Sequence, residues 1–335
     1  MIISRTPFRV SFFGGGTDYP AWCNDKGGAV LATSINKYCY ISCRYLPPFF
    51  EHKYRIVYSK VETVKEKGDI QHPVVRAAID FMKINEGLEI HHDGDLPART
   101  GLGSSSSFTV GMLHVLYALK GIMPTKKRLA LEAIHLERNI LKESVGSQDQ
   151  ILASIGGFNR IDFDPGHENA YRETPVMINA QRTQDLQSHL MLFFTGISRF
   201  ASDVAKNKID NMPNKTRELT TMHHMVEEAV SVLISEGCIT EFGKLLHESW
   251  MLKRELSDGV TSKYIDEVYS AACDEGAIGG KLLGAGGGGF MLIFAPPEKQ
   301  LAIEKRLGDL LRVPFEFESQ GSQIVVFQPD TINPN

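Results

Sequence analysis

The stretch that decides the fold is LPARTGLGSSSSFTVGMLHVLYALKG at residues 96–121. Its glycine- and serine-rich part, GLGSSSS at 101–107, leads directly into a segment that is apolar nearly all round, and a helix of that composition is buried. The unpaired N–H groups at the start of such a helix, together with its dipole, form an anion site. A flexible Gly/Ser linker is the alternative, but a linker does not run without a break into a buried helix. The sequence therefore favours phosphate binding, and because the pattern GxxxxGK(S/T) is absent, a nucleotide site here is not of the Walker type.

Segments outside this stretch predict the strands and helices that surround it. Alternating or β-branched composition predicts strands in the opening residues up to the glycines at 14–16 and over 29–44, 54–58, 88–92, 190–195 and 290–294. Helical spacing predicts helices over 73–85, over 125–143 with Thr125 as N-cap, and in much of 200–275. Periodicity is lost near 170–188, where we place the boundary between two lobes, residues 1–180 and 181–335.

Composition limits the class of protein. A chain of 335 residues is long enough for two lobes that share one cleft. The net charge of -4 provides no basic field for nucleic acid, and no apolar run reaches the roughly 20 residues of a membrane helix. We therefore expect a cytoplasmic protein with neither nucleic acid nor membrane as partner. The five cysteines contain no CxxC pair, and the histidine pairs at 91–92 and 223–224 lack i, i+4 spacing, so the pattern indicates reduced thiols and ordinary core or surface histidines.

A second glycine run, KLLGAGGGGF at 281–290, contains GxGxxG. A dinucleotide-binding loop follows a strand and opens a helix, whereas here a helical pattern at 262–275 precedes the glycines and a strand, FMLIF, follows them. A β-hairpin or bulge turn would not need four successive glycines. The run is therefore typical of backbone packed close to a ligand or to another loop.

Two acids stand in unusual positions. Glu137 shares a helical face with Ala133, Ile134 and Leu141, and a charge on an apolar face needs either a metal ion or a paired arginine. The residues alone leave both open. Asp149, in SVGSQDQILAS, follows a glycine turn and precedes an apolar run, which fits an N-cap or a catalytic carboxylate.

Three segments taken together resemble the GHMP kinase superfamily, and the resemblance spans almost the whole chain. They are TPFRVSFFGGGTDYP at 6–20, LPARTGLGSSSS at 96–107 and GGKLLGAGGGGF at 279–290. The resemblance implies an α+β fold of two lobes, the first like a ribosomal protein S5 domain 2 and the second ferredoxin-like, with the site in the cleft. It also implies ATP and Mg²⁺ as cofactors.

The same resemblance implies the roles of individual residues. Asp149 matches the family's catalytic aspartate, and Arg9 is the cation beside it. Glu137, twelve residues before Asp149, matches the magnesium-binding glutamate, with Ser105, or its neighbour Ser104, helping to hold the ion. The residues implied to bind the nucleotide are Pro97, Arg99, Gly101, Leu102, Gly103, Ser104, Ser105, Ser106, Gly286 and Gly287.

The first motif narrows the substrate. Asp18 matches the acid that hydrogen-bonds sugar hydroxyls, and Thr17 is its neighbour. Galactokinases carry Glu-His where this chain has Gly15 and Gly16, which disfavours galactose. The sequence FGGGTD instead resembles the branch that phosphorylates D-glycero-D-manno-heptose 7-phosphate at its anomeric hydroxyl. Candidate cations for the substrate phosphate are Lys37, Arg99 and Arg199, each equally typical of a solvated surface charge.

Other functions remain open on the sequence. Within the kinases, L-fucose or another hexose is the alternative substrate. A non-catalytic sugar sensor on the same fold, or a diphosphomevalonate decarboxylase, would use a similar architecture for another purpose. The expected partners are ATP and a small sugar phosphate, and the expected assembly is a monomer or homodimer.

Overall fold

The structure is a computed structural model that describes residues 1–98, 100–166, 170–196, 206–207 and 209–329. Its strands are β1 (Ile2–Phe13), β2 (Gly28–Tyr45), β3 (Tyr54–Val57), β4 (Val61–Val64), β5 (Leu88–Gly94), β6 (Phe158–Phe163), β7 (Tyr171–Pro175), β8 (Leu190–Phe194), β9 (Gly279–Leu282), β10 (Phe290–Phe294), β11 (Leu311–Arg312), β12 (Phe317–Glu318) and β13 (Gln323–Phe327). Its α-helices are α1 (Pro20–Lys26), α2 (Pro73–Phe81), α3 (Ser104–Leu119), α4 (Lys126–His135), α5 (Gln148–Ile155), α6 (Ala180–Ser188), α7 (Thr216–Ile234), α8 (Thr240–Arg254), α9 (Lys263–Asp274) and α10 (Pro297–Arg306).

The larger sheet is built around β2. Its strands follow the order β13-β1-β2-β5-β3-β4, while β6 and β12 also pair with β2, and β7 pairs with β6. All of these pairs are antiparallel except β3 with β5. Helices α3, α5, α7 and α8 all contact β1, and the second half of the strand is buried on both faces. The strand predicted from the opening alternation is confirmed.

Helix α3 is the buried helix that the sequence predicts. Most of its 16 residues are buried, including Val110, Leu113 and Leu116. It lies against β1 and β2 on one side and against α2, α4 and α5 on the others. Its amino terminus is therefore fixed by the core of the lobe, which places the serine-rich turn at a defined position.

The smaller sheet has the order β11-β8-β10-β9, with antiparallel pairs throughout. Numbered by their order in the chain, these strands run 4-1-3-2, with helices between the first and second strands and between the third and fourth, which is the ferredoxin-like arrangement. Phe12 and Phe13 of β1 pack against Phe242 of α8, with ring centroids 5.5 Å and 5.1 Å apart. The two-lobed α+β fold is confirmed, and these aromatic contacts join its lobes.

Two predicted helix ends are wrong, and so is the rejection of a β-hairpin for the second glycine run. The helix expected over 73–85 ends at Phe81, and Lys83 has a positive φ of 53°. The helix expected over 125–143 begins as predicted, since the Thr125 side chain accepts a hydrogen bond from Arg128 N, but it changes to a π-helical turn at Leu136–Ile140. A short strand, β9, separates the second glycine run from the preceding helix, so the run connects the two strands of a β-hairpin.

The carboxyl-terminal strands pair with the first sheet. β12 pairs with β2, and β13 pairs with β1. The division into residues 1–180 and 181–335 stays a prediction, and this return of the chain to the larger sheet had no signal in the sequence. Among the described residues, no helix combines the length and apolar composition needed to cross a bilayer.

One ion-pair cluster makes a prediction about stability. The carboxylate of Glu89 lies 2.5 Å from guanidinium nitrogens of both Arg44 and Arg55 and 3.1 Å from the imidazole of His91. Burial alone would raise the pKa of Glu89, but hydrogen bonds from His91, Arg44 and Arg55 outweigh it and lower the pKa to about 2. The stabilisation is therefore present above the unfolded-state pKa of about 4.3 and is lost as pH falls towards 2.

We expect Glu89→Gln to lower the free energy of unfolding at pH 7, because it removes the charge that pairs with both arginines. Water screens the half-exposed arginines, which limits the expected loss to about 2 kcal/mol. The difference should shrink steadily between pH 4 and pH 2 in urea titrations. Glu241→Gln removes an exposed pair with Lys244 and should change little at any pH. A Glu89→Gln difference that is independent of pH would contradict this assignment.

Candidate active site

A cavity of about 510 Å³ lies where both lobes contribute residues. The predicted residues that line it are Arg9, Gly15, Gly16, Asp18, Gly101, Gly103, Ser104, Ser105, Ser106 and Asp149. These residues come from β1 and the turn after it, from the start of α3 and from the start of α5. Three distant parts of the chain therefore meet at one site.

Arg9 and Asp149 form a bidentate ion pair at the wall of this cavity. Arg9 Nε donates to Asp149 Oδ1 over 2.7 Å, and Nη2 donates to Oδ2 over 2.8 Å. Arg9 Nη1 also donates to the carbonyl of Gly101 over 2.6 Å. Two parallel hydrogen bonds fix the plane of a carboxylate. Asp149 is not the N-cap of α5, because Ser147 holds that position. Of the two roles that the sequence left open for Asp149, the role of N-cap is therefore wrong.

The serine-rich turn presents the amino terminus of α3 to the cavity. Gly103, with a φ of 76°, is the residue before the helix, and Ser104 begins it. The first-turn N–H groups of a helix have no partner within the helix, and here the first-turn residues Ser104, Ser105 and Ser106 line the cavity. This geometry is suited to binding the phosphates of a nucleotide.

The second glycine run packs directly against this turn. A Cβ atom at Gly101 would lie 2.4 Å from the carbonyl oxygen of Leu283, and one at Gly284 would lie 2.4 Å from Gly101 Cα. Phe290 N also donates to the carbonyl of Thr100 over 3.1 Å. The glycines are needed because two backbones touch. Of the run, Lys281, Gly284 and Ala285 line the cavity.

Asp18 is held on the other side of the cavity. Its Oδ1 accepts from Gly16 N over 3.0 Å, and its Oδ2 accepts from Gln148 N and Gln148 Nε2 over 3.3 and 3.2 Å. A Cβ atom at Gly146 would lie 1.8 Å from Asp18 Oδ2, so only glycine fits there. The Asp18 carboxylate, which the resemblance assigns to sugar binding, is therefore fixed to the start of α5, the element that carries Asp149.

Glu137 lies behind the cavity wall, in the π-helical turn. It is fully buried, and its Oε2 accepts from Ser106 Oγ over 3.1 Å and from Gln150 Nε2 over 2.5 Å. Within the described ranges, Glu137 Oε1 has no hydrogen-bond partner and no cationic side chain pairs with the carboxylate. Burial raises the pKa of Glu137 to about 7.

These features fit a bound cation. An unpartnered, fully buried carboxylate oxygen is costly unless a cation reaches it, and Mg²⁺ takes oxygen ligands from one or two carboxylates together with phosphates. Ser106 and Gln150, which separate Glu137 from the cavity, both line it. In the described part of the chain, no group of three or more His, Cys, Asp or Glu side chains forms a metal cluster, so phosphate oxygens would have to complete the coordination.

Other predicted residues lie elsewhere. Residues outside the cavity lining are Thr17, Lys37, Pro97, Leu102, Gly286 and Gly287, and Arg99 and Arg199 lie outside the described residues. The Thr17 hydroxyl lies within 2.9 Å of the carbonyls of Gly14 and Ala29, so it supports the turn. Gly287 N donates to the carbonyl of Val260, so this part of the glycine run packs against Val260. Roles for these residues stay predictions.

Two buried lysines of the second lobe line the cavity and were missed in the sequence. Lys281 of β9 donates to the carbonyl of Phe12 over 2.6 Å, and Lys253 of α8 donates to the carbonyls of Leu282 and Gly284 over 2.7 Å each. Both are buried. A signal existed, since Lys253 stands three and seven residues after Trp250 and Leu246, on the apolar stripe of its helix.

Comparison with known proteins gives two family matches. The GHMP kinases N terminal domain matches residues 72–157, and the GHMP kinases C terminal domain matches residues 227–312. Together they cover about half of the chain. The first match contains the serine-rich turn, Glu137 and Asp149, and the second contains the glycine run and both buried lysines.

Similar proteins cover most of the chain. A D-glycero-alpha-D-manno-heptose 7-phosphate kinase of Campylobacter jejuni is 29% identical over 324 residues, which are 91% of this chain and 93% of that protein. A bifunctional fucokinase/GDP-fucose pyrophosphorylase of Arabidopsis thaliana is 25% identical over 90% of this chain and 30% of its own length.

Solved structures share the fold. The crystal structure of a D-glycero-D-manno-heptose 1-phosphate kinase from Bacteroides thetaiotaomicron superimposes with a TM-score of 0.80 at 21% identity, covering 98% of this chain and 100% of that one. The chain belongs to the GHMP kinases and is an ATP-dependent phosphotransferase that acts on a hydroxyl group.

Proposed function

We propose that this kinase, with Mg²⁺, phosphorylates the anomeric hydroxyl of D-glycero-D-manno-heptose 7-phosphate and so makes the 1,7-bisphosphate. The observation that carries the proposal is the position of Asp149. Arg9 holds it in a cavity that also contains the amino terminus of α3 and the carboxylate of Asp18. A phosphate donor and a sugar hydroxyl can meet there on either side of one carboxylate.

The chemistry follows from positioning and charge. Phosphoryl transfer needs an aligned acceptor and stabilised phosphate oxygens more than covalent catalysis. Asp149 accepts the proton of the sugar hydroxyl as the new O–P bond forms and ADP leaves. The first-turn N–H groups of α3 stabilise charge on the phosphates. Bound Mg²⁺ would neutralise charge on the phosphate oxygens. Glu137 would hold the ion together with either Ser106, whose hydroxyl donates to Glu137, or the predicted Ser105.

The choice of a phosphorylated heptose rests on three supports. The relative from Campylobacter jejuni is named as a heptose 7-phosphate kinase. Gly15 and Gly16 leave the space that galactokinases fill with two side chains. Lysines from two lobes also line the cavity, namely Lys142, Lys206, Lys253 and Lys281, and cations are what a phosphate on the substrate requires.

The direct test is ADP release over a panel of acceptors. We expect kcat/KM for D-glycero-D-manno-heptose 7-phosphate to exceed that for galactose, L-fucose and mevalonate by about 100-fold or more, since only that sugar engages both Asp18 and the lysines. Phosphorus NMR should place the new phosphate on the anomeric carbon. Preference for L-fucose, which the Arabidopsis relative's name supports as the second candidate, would overturn the heptose assignment. Binding of sugar without ATP consumption would indicate a sensor.

Lys253 offers a sharper test of the substrate phosphate. We expect Lys253→Met to raise the KM for heptose 7-phosphate by about 10- to 100-fold, because a charge-assisted hydrogen bond contributes about 1.5–3 kcal/mol. Since Lys253 also supports the glycine run, the decisive quantity is the ratio of this effect to the effect on the unphosphorylated heptose. Lys263→Met, at an exposed position on α9, is the control. Equal effects on both sugars would remove Lys253 from phosphate binding.

A further inference from the structure

We infer that Ser11 and Gln148 together bind one hydroxyl group of the sugar and thereby set the specificity of the kinase. The inference rests on the proposed function only in that the acceptor is a sugar. Neither residue matches a catalytic or binding role assigned above, yet both line the cavity.

Ser11 lies two residues after Arg9 on β1, and alternate residues of a strand face the same side. The residue is 6% exposed, and across the described ranges its hydroxyl has no hydrogen-bond partner. Leaving a buried polar group unpaired costs about 1–3 kcal/mol. Such a cost is common where a ligand supplies the missing hydrogen bond.

Gln148 presents a second unpaired atom. Its Nε2 donates to Asp18 Oδ2 over 3.2 Å, which fixes the orientation of the amide. The other amide atom, Oε1, is then an acceptor, and it has no partner among the residues that the structure describes. The residue is 8% exposed. Asp18 therefore holds Gln148 so that a carbonyl oxygen remains for a hydroxyl donor.

The two side chains converge at Gly15. A Cβ atom at Gly15 would lie 3.6 Å from Ser11 Oγ and 3.8 Å from Gln148 Nε2, with no closer neighbour. Gly15 is absent from the residues with positive φ, so neither backbone conformation nor crowding requires glycine there. Its missing side chain keeps open the space between Ser11 and Gln148. A sugar hydroxyl that enters this space can exchange a hydrogen bond with Ser11 Oγ and, where it reaches the other end of the amide, donate to Gln148 Oε1.

A site of this kind discriminates strongly. An analogue without the hydroxyl leaves two buried polar groups unpaired, and sites built to hydrogen-bond a hydroxyl reject such analogues well. The proposed pair therefore predicts that one hydroxyl of the sugar matters more than its neighbours. Apolar contacts alone would not single out one position.

The test uses the intact protein and monodeoxy analogues of whichever panel sugar it phosphorylates. For one deoxy position, we expect kcat/KM of the unaltered protein to fall by about 30-fold or more. In Ser11→Ala that penalty should shrink to about threefold, while penalties at other positions persist. In Gln148→Met, which also removes the amide that holds Asp18, the same penalty should shrink likewise. Ser154→Ala removes a hydroxyl that is also buried and has no hydrogen-bond partner in the described part of the chain but does not line the cavity, and this variant should keep the pattern of the unaltered protein.

Gly15→Ala provides an independent variant, because alanine fits the backbone there. It should raise the KM for the sugar by about tenfold and leave the KM for ATP unchanged. Identical deoxy penalties in the unaltered protein and in Ser11→Ala would overturn this inference and leave the proposed function intact. Phosphorylation of a sugar other than the heptose would overturn only the heptose assignment, whereas a chain that phosphorylates no sugar would overturn both.

Discussion

Asp149→Asn is expected to lower turnover by about two orders of magnitude or more. The amide cannot accept the proton of the attacking hydroxyl, and Arg9 loses one of its two carboxylate contacts. In the proposed arrangement ATP binds through the start of α3 and the cation site, neither of which includes this side chain, so we expect the Kd for ATP to change by less than about threefold. Steady-state kinetics and calorimetric titration with ATP measure the two quantities.

The control for this experiment is Asp274→Asn. Asp274 is the exposed last residue of α9 and does not line the cavity. The Asp274→Asn variant should have the same turnover and ATP affinity as the unaltered protein. Near-normal turnover of Asp149→Asn would remove Asp149 from the catalytic role, and loss of ATP binding would show that the carboxylate shapes the nucleotide site instead.

Glu137→Gln is expected to change activity and stability in opposite directions. Removing the buried charge removes the only carboxylate proposed to hold the metal, so turnover at saturating Mg²⁺ should fall by about 100-fold. With metal chelated, the variant should be more stable than the unaltered protein at pH 8, by about 3–4 kcal/mol. A structural ion pair would give the reverse result, because its loss destabilises.

The pH dependence of that stability has a definite sign. The pKa of Glu137 is raised to about 7 by burial, above the unfolded value of about 4.3. Below pH 4 both states carry the proton, and the variant and the unaltered protein should unfold at equal urea concentrations. Between pH 4 and pH 7 the unfolded state ionises while the folded state keeps its proton, so the unaltered protein alone loses stability, and above pH 7 the loss is complete. Urea titrations in EDTA at pH 4, 6 and 8 measure this. A constant difference would contradict the buried carboxylate as its source.

The sequence predicted those parts of the site that depend on local pattern. The turn at 101–107 and the buried helix after it follow from composition, and their place in the cavity agrees with the prediction of an anion site. The second glycine run was expected to lie against a ligand or another loop, and Gly284 contacts Gly101. The residues alone left two possible partners for Glu137, a metal ion or an arginine. Within the described ranges, the structure shows no arginine or other cationic side chain paired with it.

What the sequence did not predict depends on contacts between distant residues. Lys281 resembles a solvated charge until the lobes are packed together, and its cavity position depends on how β9 faces β1. Ser11 is an ordinary strand serine until Gln148, more than a hundred residues later, is placed beside the same glycine. The π-helical turn at Glu137 also lacks a marker, because the apolar spacing continues through it.

The pairing of β13 with β1 has a consequence for biosynthesis. Ile2 pairs with Phe327, so one edge of β1 is covered by β13, the last strand that the structure describes. At about 5–20 residues per second, a ribosome needs roughly 15–60 s after the synthesis of β1 to reach β13. During that interval the edge of β1 is open to pairing with other nascent chains. We expect completion of the larger sheet to be a late, post-translational event, however early the serine-rich turn and its helix form.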